Sequence, residues 1–167
     1  MEQNDQRMEQ EGTSPWDKRG RRFGYHTQAS GSESLKVVFD TNILVSASFW
    51  YGYSFDAMNF ALKGKIICFS SKELVEEFKE VVLRDFFVSE ENLSQKMKDL
   101  LSIAILVSPS EKVLIINQDL DDNKVLEAAI EAKAQYIVSE DKHLLILKEF
   151  RGIKIVSAKK FLNLVDF

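Results

Sequence analysis

The chain has 167 residues, 45% apolar and 29% charged, and its 22 Lys and Arg against 26 Asp and Glu give a net charge of −4, which suits one compact domain. No run approaches the roughly 20 uninterrupted apolar residues needed to cross a bilayer, and residues 1–10 are polar where a secretory signal would be apolar, so a cytoplasmic protein with no membrane partner is expected. A single cysteine, Cys68, and two histidines far apart, His26 and His143, exclude an internal disulfide and a multi-cysteine zinc site, so metal chemistry is expected on oxygen ligands.

Residues 1–34 mix Gln, Glu, Arg, Gly and Ser without an apolar period and read as a disordered tail ahead of a domain over 35–167. The tail's basic knot, Lys18-Arg19 and Arg21-Arg22 beside Phe23 and Tyr25, reads as solvated rather than as an RNA contact, and a pI near 5.3 argues against a generally basic nucleic-acid coat. From residue 35 short apolar runs alternate with stretches of helical period: strands at 37–39, 66–69, 105–107, 136–138 and 153–156, and helices at 54–62, 71–82, 90–102, 123–133, 142–149 and 158–164. Such alternation predicts an α/β domain with a mainly parallel sheet. Ser70 with Glu73 is a capping-box start for the second helix, and 113–116 reads equally as a short strand or an extended connector. Phe49-Trp50-Tyr51, with Tyr53 and Phe55, reads as a core or dimer contact rather than a platform for stacking bases. Cys68 inside its strand reads as packing.

Ligands of open parallel sheets bind beyond the carboxyl ends of the strands, where loops and helix N-termini converge. Asp40 directly follows the first strand, Asp141 follows the fourth after Ser139 and Glu140, and Asp119, Asp121 and Asp122 precede a helix. Helix phase then selects among the glutamates of 71–82. Leu74, Val75, Phe78, Val81 and Val82 form one stripe; Glu77 lies about 100° from its centre, whereas Glu73, Glu76 and Glu80 lie about 140–160° away. By the same count Asp122 shares a face with Val125 and Ala129 and points toward the sheet. Taken singly, Asp40, Asp121, Asp122 and Asp141 read as helix caps, worth about 1 kcal/mol each, and Glu77 as a solvated helix-edge charge. Four acids reaching one sheet edge from separate junctions is an arrangement that capping does not require, and a divalent cation would offset their mutual repulsion. Hard oxygen ligands favour magnesium or manganese over zinc. Asp119 and Asp121 are expected no closer than the outer shell, and His143 reads as a surface helix residue.

Phe39-Asp40-Thr41-Asn42-Ile43-Leu44 resembles the opening motif of PIN-domain ribonucleases. The stretch Ser71-Lys72-Glu73-Leu74-Val75-Glu76-Glu77-Phe78-Lys79-Glu80-Val81 resembles the helix carrying their second acid, and Asp119-Leu120-Asp121-Asp122-Asn123-Lys124-Val125-Leu126-Glu127-Ala128-Ala129 with Tyr136-Ile137-Val138-Ser139-Glu140-Asp141-Lys142-His143-Leu144-Leu145 resembles their closing half. The resemblance spans 35–167 and is nearest to the branch of toxins from toxin–antitoxin pairs, similar to VapC. It implies a three-layer α/β/α sandwich around a mostly parallel sheet. It also implies metal-dependent hydrolysis of RNA phosphodiesters with Mg2+ or Mn2+ as cofactor, an RNA substrate, an antitoxin protein as partner and a homodimer. Asp40, Glu77, Asp122 and Asp141 match the metal-holding, catalytic acids; Asn42, Ser139 and Asp119 match auxiliary positions. One departure stands out: Glu140 occupies a place where the family often has Gly, which would set an extra carboxylate next to the site.

Rival readings fit less well. An aspartyl-phosphate phosphatase needs a second Asp where this chain has Asn42, and a receiver-type signalling domain needs a strand-end Lys that is not evident. A PIN-like module that binds RNA or protein with little or no nuclease activity is the remaining alternative, against which the full set of four acids counts.

Overall fold

The computed structural model describes residues 34–117 and 120–165. The reading of the tail, its basic knot and the auxiliary role of Asp119 lie outside the described residues. Along the chain run β1 (Leu35–Phe39), α1 (Thr41–Phe49), α2 (Tyr53–Leu62), β2 (Ile66–Ser71), α3 (Lys72–Phe86), α4 (Glu90–Ile103), β3 (Ala104–Val107), α5 (Asp122–Ala132), β4 (Tyr136–Val138), α6 (Lys142–Leu145), β5 (Glu149–Phe150), β6 (Ile153–Val156) and α7 (Ala158–Leu164). The strands form one sheet in the order β3-β2-β1-β4-β6-β5. Every pairing is parallel except β5 with β6.

β1 lies inside the sheet, and its Val37-Val38-Phe39 run is buried on both faces, as parallel strands covered by helices on either side must be. Alternation sends Val37 and Phe39 into one core with residues of α1, α2, α3 and α7. Val38 and Ile137 face the other core, under α5 and α6 with Val113 and Ile116. Those two cores on one sheet make the three-layer sandwich. Cys68 packs in the first, and burial pushes its thiol up to about 12, which leaves it inert.

Three elements differ from the sequence expectation, and at a fourth, 113–116, the structure decides between the two readings left open. Residues 41–49 form α1 where no helix was expected: Ile43, Leu44, Val45 and Ala47 are all buried, so the segment lacks the polar face by which a helix is recognised. The run 113–116 is a connector, because its amides bond to side chains of α5 instead of a neighbouring strand: Val113 N–H to Glu127, and Ile115 and Ile116 N–H to the Asn123 amide oxygen. The helix expected at 142–149 stops at Leu145, and the chain turns through Lys148 at φ 59° into β5. Arg151 and Gly152 then close a two-residue hairpin with φ of 50° and 81°, both positive as a tight turn of that twist requires. Finally, α3 is capped by Ser71, which accepts from Leu74 N–H at 3.4 Å, one residue beyond the expected Ser70.

Candidate metal centre

β1, β2 and β4 end side by side, so the residues following them meet at one edge of the sheet. Asp40 follows β1 and is 5% exposed. Its carboxylate does not cap α1; it accepts instead a 2.6 Å hydrogen bond from the Ser139 hydroxyl, itself fully buried at the end of β4. The same hydroxyl oxygen accepts from the Asp141 N–H at 2.9 Å, so Ser139 ties the first acid to the last across two adjacent strands.

Asp141 does act as a cap: Oδ1 accepts from the His143 N–H at 2.7 Å at the start of α6. That bond fixes the carboxylate and the His143 backbone relative to each other, and it brings the imidazole against Asp122. Nδ1 of His143 lies 3.3 Å from Asp122 Oδ2 and 3.6 Å from Asp141 Oδ1. Asp122, Asp141 and His143 each offer a ligand atom within 4.8 Å of the others. Asp122 opens α5, as helix phase anticipates, and is nearly buried.

Glu77 completes the group from α3. It is half-buried, whereas Glu73, Glu76 and Glu80 are exposed, in line with the helix-phase reading. Burial, and then the charge of Asp40, push its carboxyl up to about 7. Lys124 and the Thr41 hydroxyl pull in the opposite direction; that hydroxyl is buried and makes no regular hydrogen bond, yet it lies near enough to Glu77 to act on it. Lys124 is held by Asp121 at 2.7 Å, and that bond raises its pKa. Asp121 thus neutralises a lysine, and its own charge adds to the upward push on Glu77.

The structure places Asp122, Asp141 and His143 around one point, ties Asp40 to Asp141 through Ser139, and sets Glu77 within electrostatic reach of Asp40. Asn42 is exposed on the first turn of α1. Glu140 turns away: its carboxylate accepts from Ala158 N–H at 2.9 Å at the start of α7. The expected extra acid beside the site is a helix-end acceptor, because α7 begins right after β6 and exposes unpaired amides to the neighbouring β4 loop. His143 is an exposed helix residue, as expected, and its imidazole also lies against Asp122 and Asp141. Its signal in the sequence was its place two residues beyond Asp141 at a helix start, where the backbone bond to Asp141 aims both side chains the same way. The residues fit a divalent cation: the donors are mainly carboxylate oxygens, and a cation would offset both the burial of Glu77 and the charge of Asp40 beside it.

The aromatic segment lies elsewhere. α1 and α3 both start at the acid edge and run away from it, so Phe49, stacked on Phe86 with ring centres 3.9 Å apart, sits about 13 Å down the helix from Asp40. Phe49 and Phe86 pack with Lys96 over the Phe49 ring at 4.0 Å, while Trp50, Tyr51 and Tyr53 stay exposed.

Fold and acids together describe a nuclease-type α/β domain. Residues 36–143 match the PIN domain family, and the chain belongs to that family. PIN domains are generally nucleases and typically bind a divalent metal. Among relatives, the chain is 28% identical over 120 residues to an uncharacterised protein, MJ1680, of Methanocaldococcus jannaschii, covering 69% of this chain and 76% of the relative. Among solved structures, the fold is similar to the crystal structure of PAE2754 from Pyrobaculum aerophilum, with a TM-score of 0.58 and 14% identity over 83% of this chain and 94% of the other. No helix among the described residues is long and apolar enough to cross a membrane.

Proposed function

We propose that this protein is a divalent-metal-dependent endoribonuclease that hydrolyses phosphodiester bonds of RNA. The supporting observation is a chain of interactions: Glu77 feels the charge of Asp40, Asp40 is joined through Ser139 to Asp141, and Asp141 is joined through His143 to Asp122. Such a chain joins acids from β1, α3, α5 and β4 that no structural requirement of the fold would gather. Magnesium or manganese, when bound, supplies the Lewis acidity that polarises a phosphate oxygen and makes water a nucleophile near neutral pH. Asp40, Glu77, Asp122 and Asp141 would hold the ion. Ser139 would keep the Asp40 carboxylate in one rotamer, and the His143 N–H would do the same for Asp141, so that both acids are oriented before substrate arrives. Single-stranded RNA should be cleaved in magnesium or manganese and spared in chelator. Equal cleavage in excess chelator would defeat the metal reading, and RNA binding without cleavage in either ion would favour a binding module.

Within that class we propose the role of a toxin held in check by an antitoxin protein, supported by the resemblance of the motifs at 39–44, 71–78 and 136–145 to VapC-type toxins. Expression of the chain alone should arrest growth, and the Asp40→Asn variant should not; arrest by both would count against a toxin acting through cleavage.

A further inference from the structure

We propose that His143 is a nitrogen ligand of the metal held by Asp122 and Asp141, and that it biases this site toward manganese over magnesium. The inference rests on the reading of the acids as a metal centre. Two donors bound to one cation at about 2.1 Å stand about 3.0 Å apart at right angles and about 4.2 Å apart when opposed. The Nδ1 separations of 3.3 Å from Asp122 and 3.6 Å from Asp141 fall inside that interval. Both are long for an N–H···O hydrogen bond, which is most often about 2.9–3.0 Å. The spacing leaves room for a shared centre between the three donor atoms.

Local structure supports the assignment. The His143 N–H is fixed to Asp141 Oδ1 at 2.7 Å, so imidazole and carboxylate are presented from one rigid helix start. The His143 side chain is 45% exposed, so its ring is open to an ion arriving from solvent. The chemical consequence concerns the choice of ion. Magnesium binds hard oxygen ligands and retains water, whereas manganese and later first-row ions accept imidazole readily. An Asp–Asp–His subsite therefore favours manganese more than an all-carboxylate one would.

The test titrates the full chain with Mn2+ and with Mg2+ at one fixed pH, and records pulsed electron-spin resonance of the manganese form. Wild type should show a directly coordinated nitrogen. His143→Phe should lose that signal, bind Mn2+ about tenfold or more weakly and bind Mg2+ within about twofold of wild type. Loss of the signal on changing His143 also excludes His26 as its source. Unfolding of the variant in chelator at the wild-type midpoint would show that the fold is intact. Manganese bound without coordinated nitrogen, or equal weakening toward both ions, would overturn the His143 assignment while leaving the acid site standing. Failure of wild type to bind either ion would overturn both.

Discussion

Replacing Glu77 with Gln should stabilise the metal-free protein at neutral and alkaline pH. Burial and the neighbouring Asp40 raise the Glu77 carboxyl from 4.5 to about 7 in the fold, so between those values the folded chain holds a proton that the unfolded chain releases. The stability contributed by that proton is fully present below about pH 4.5 and is lost as pH rises through about 7. At about 1.4 kcal/mol per pH unit the interval corresponds to about 3 kcal/mol. Glu77 is only half-buried, and screening by the water it meets lowers the expected effect to about 1–2 kcal/mol. Gln has the same shape, carries no charge and can still accept from the Thr41 hydroxyl. In chelator, urea unfolding at about pH 4.5 should give wild type and Glu77→Gln similar stabilities, and at about pH 8 the variant should be more stable by about 1–2 kcal/mol. Glu76→Gln, on the exposed face of the same helix, should change neither value. Saturating magnesium should reverse the order, because wild type gains the binding free energy and the variant has lost a ligand. A difference between wild type and Glu77→Gln that is the same at both pH values would refute the account, since the argument depends on a proton bound only in the fold.

Other substitutions probe the remaining contacts. Asp40→Asn leaves an acceptor for the Ser139 hydroxyl and removes a ligand charge, so RNA cleavage should fall by more than the about 10–100-fold typical of partners one step removed from a metal, with stability in chelator equal or higher; a fully active variant would remove Asp40 from the site. Glu140→Gln and Glu140→Gly should each lower stability, by about 0.5–1 kcal/mol, and leave magnesium affinity unchanged by calorimetry, because the carboxylate serves Ala158; a shift in affinity would place its charge back at the acids. Asn123→Leu should cost about 2–4 kcal/mol in urea unfolding, since it leaves the Ile115 and Ile116 amides without their acceptor; a loss under about 1 kcal/mol would mean that the connector re-pairs elsewhere.

What could be read from the sequence, and what could not, separates along physical lines. Local periodicity carries face information, so the choice of Glu77 over Glu76 and the inward face of Asp122 follow from the apolar stripes of α3 and α5 alone. Strand-end position likewise carries Asp40 and Asp141 to one edge, because any parallel sheet gathers its strand ends there. Periodicity says little where an element is buried over most of its surface, as α1 is directly after Asp40 with only Asn42 fully exposed before Trp50. It also says nothing about backbone groups satisfied by side chains distant in the chain. The connector at 113–116 has the apolar content of a strand, and only the positions of Asn123 and Glu127 show that its amides are already taken.

The side-chain orientations at the β4 end have the same origin. Glu140 and His143 flank Asp141, and composition gives no reason for one to turn toward the acids and the other away. The difference comes from what each meets: unpaired amides opening α7 capture the Glu140 carboxylate, while the cap formed by Asp141 directs His143 inward. In both cases the deciding partner is a backbone N–H at a helix start, a group that every residue but proline carries and that becomes available only once the helices have their places. A gathering of strand-end acids can therefore be read from sequence, whereas the side chains that surround it depend on where neighbouring helices begin. Here the start of α6 adds a nitrogen to the group of acids, and the start of α7 takes a carboxylate away from it.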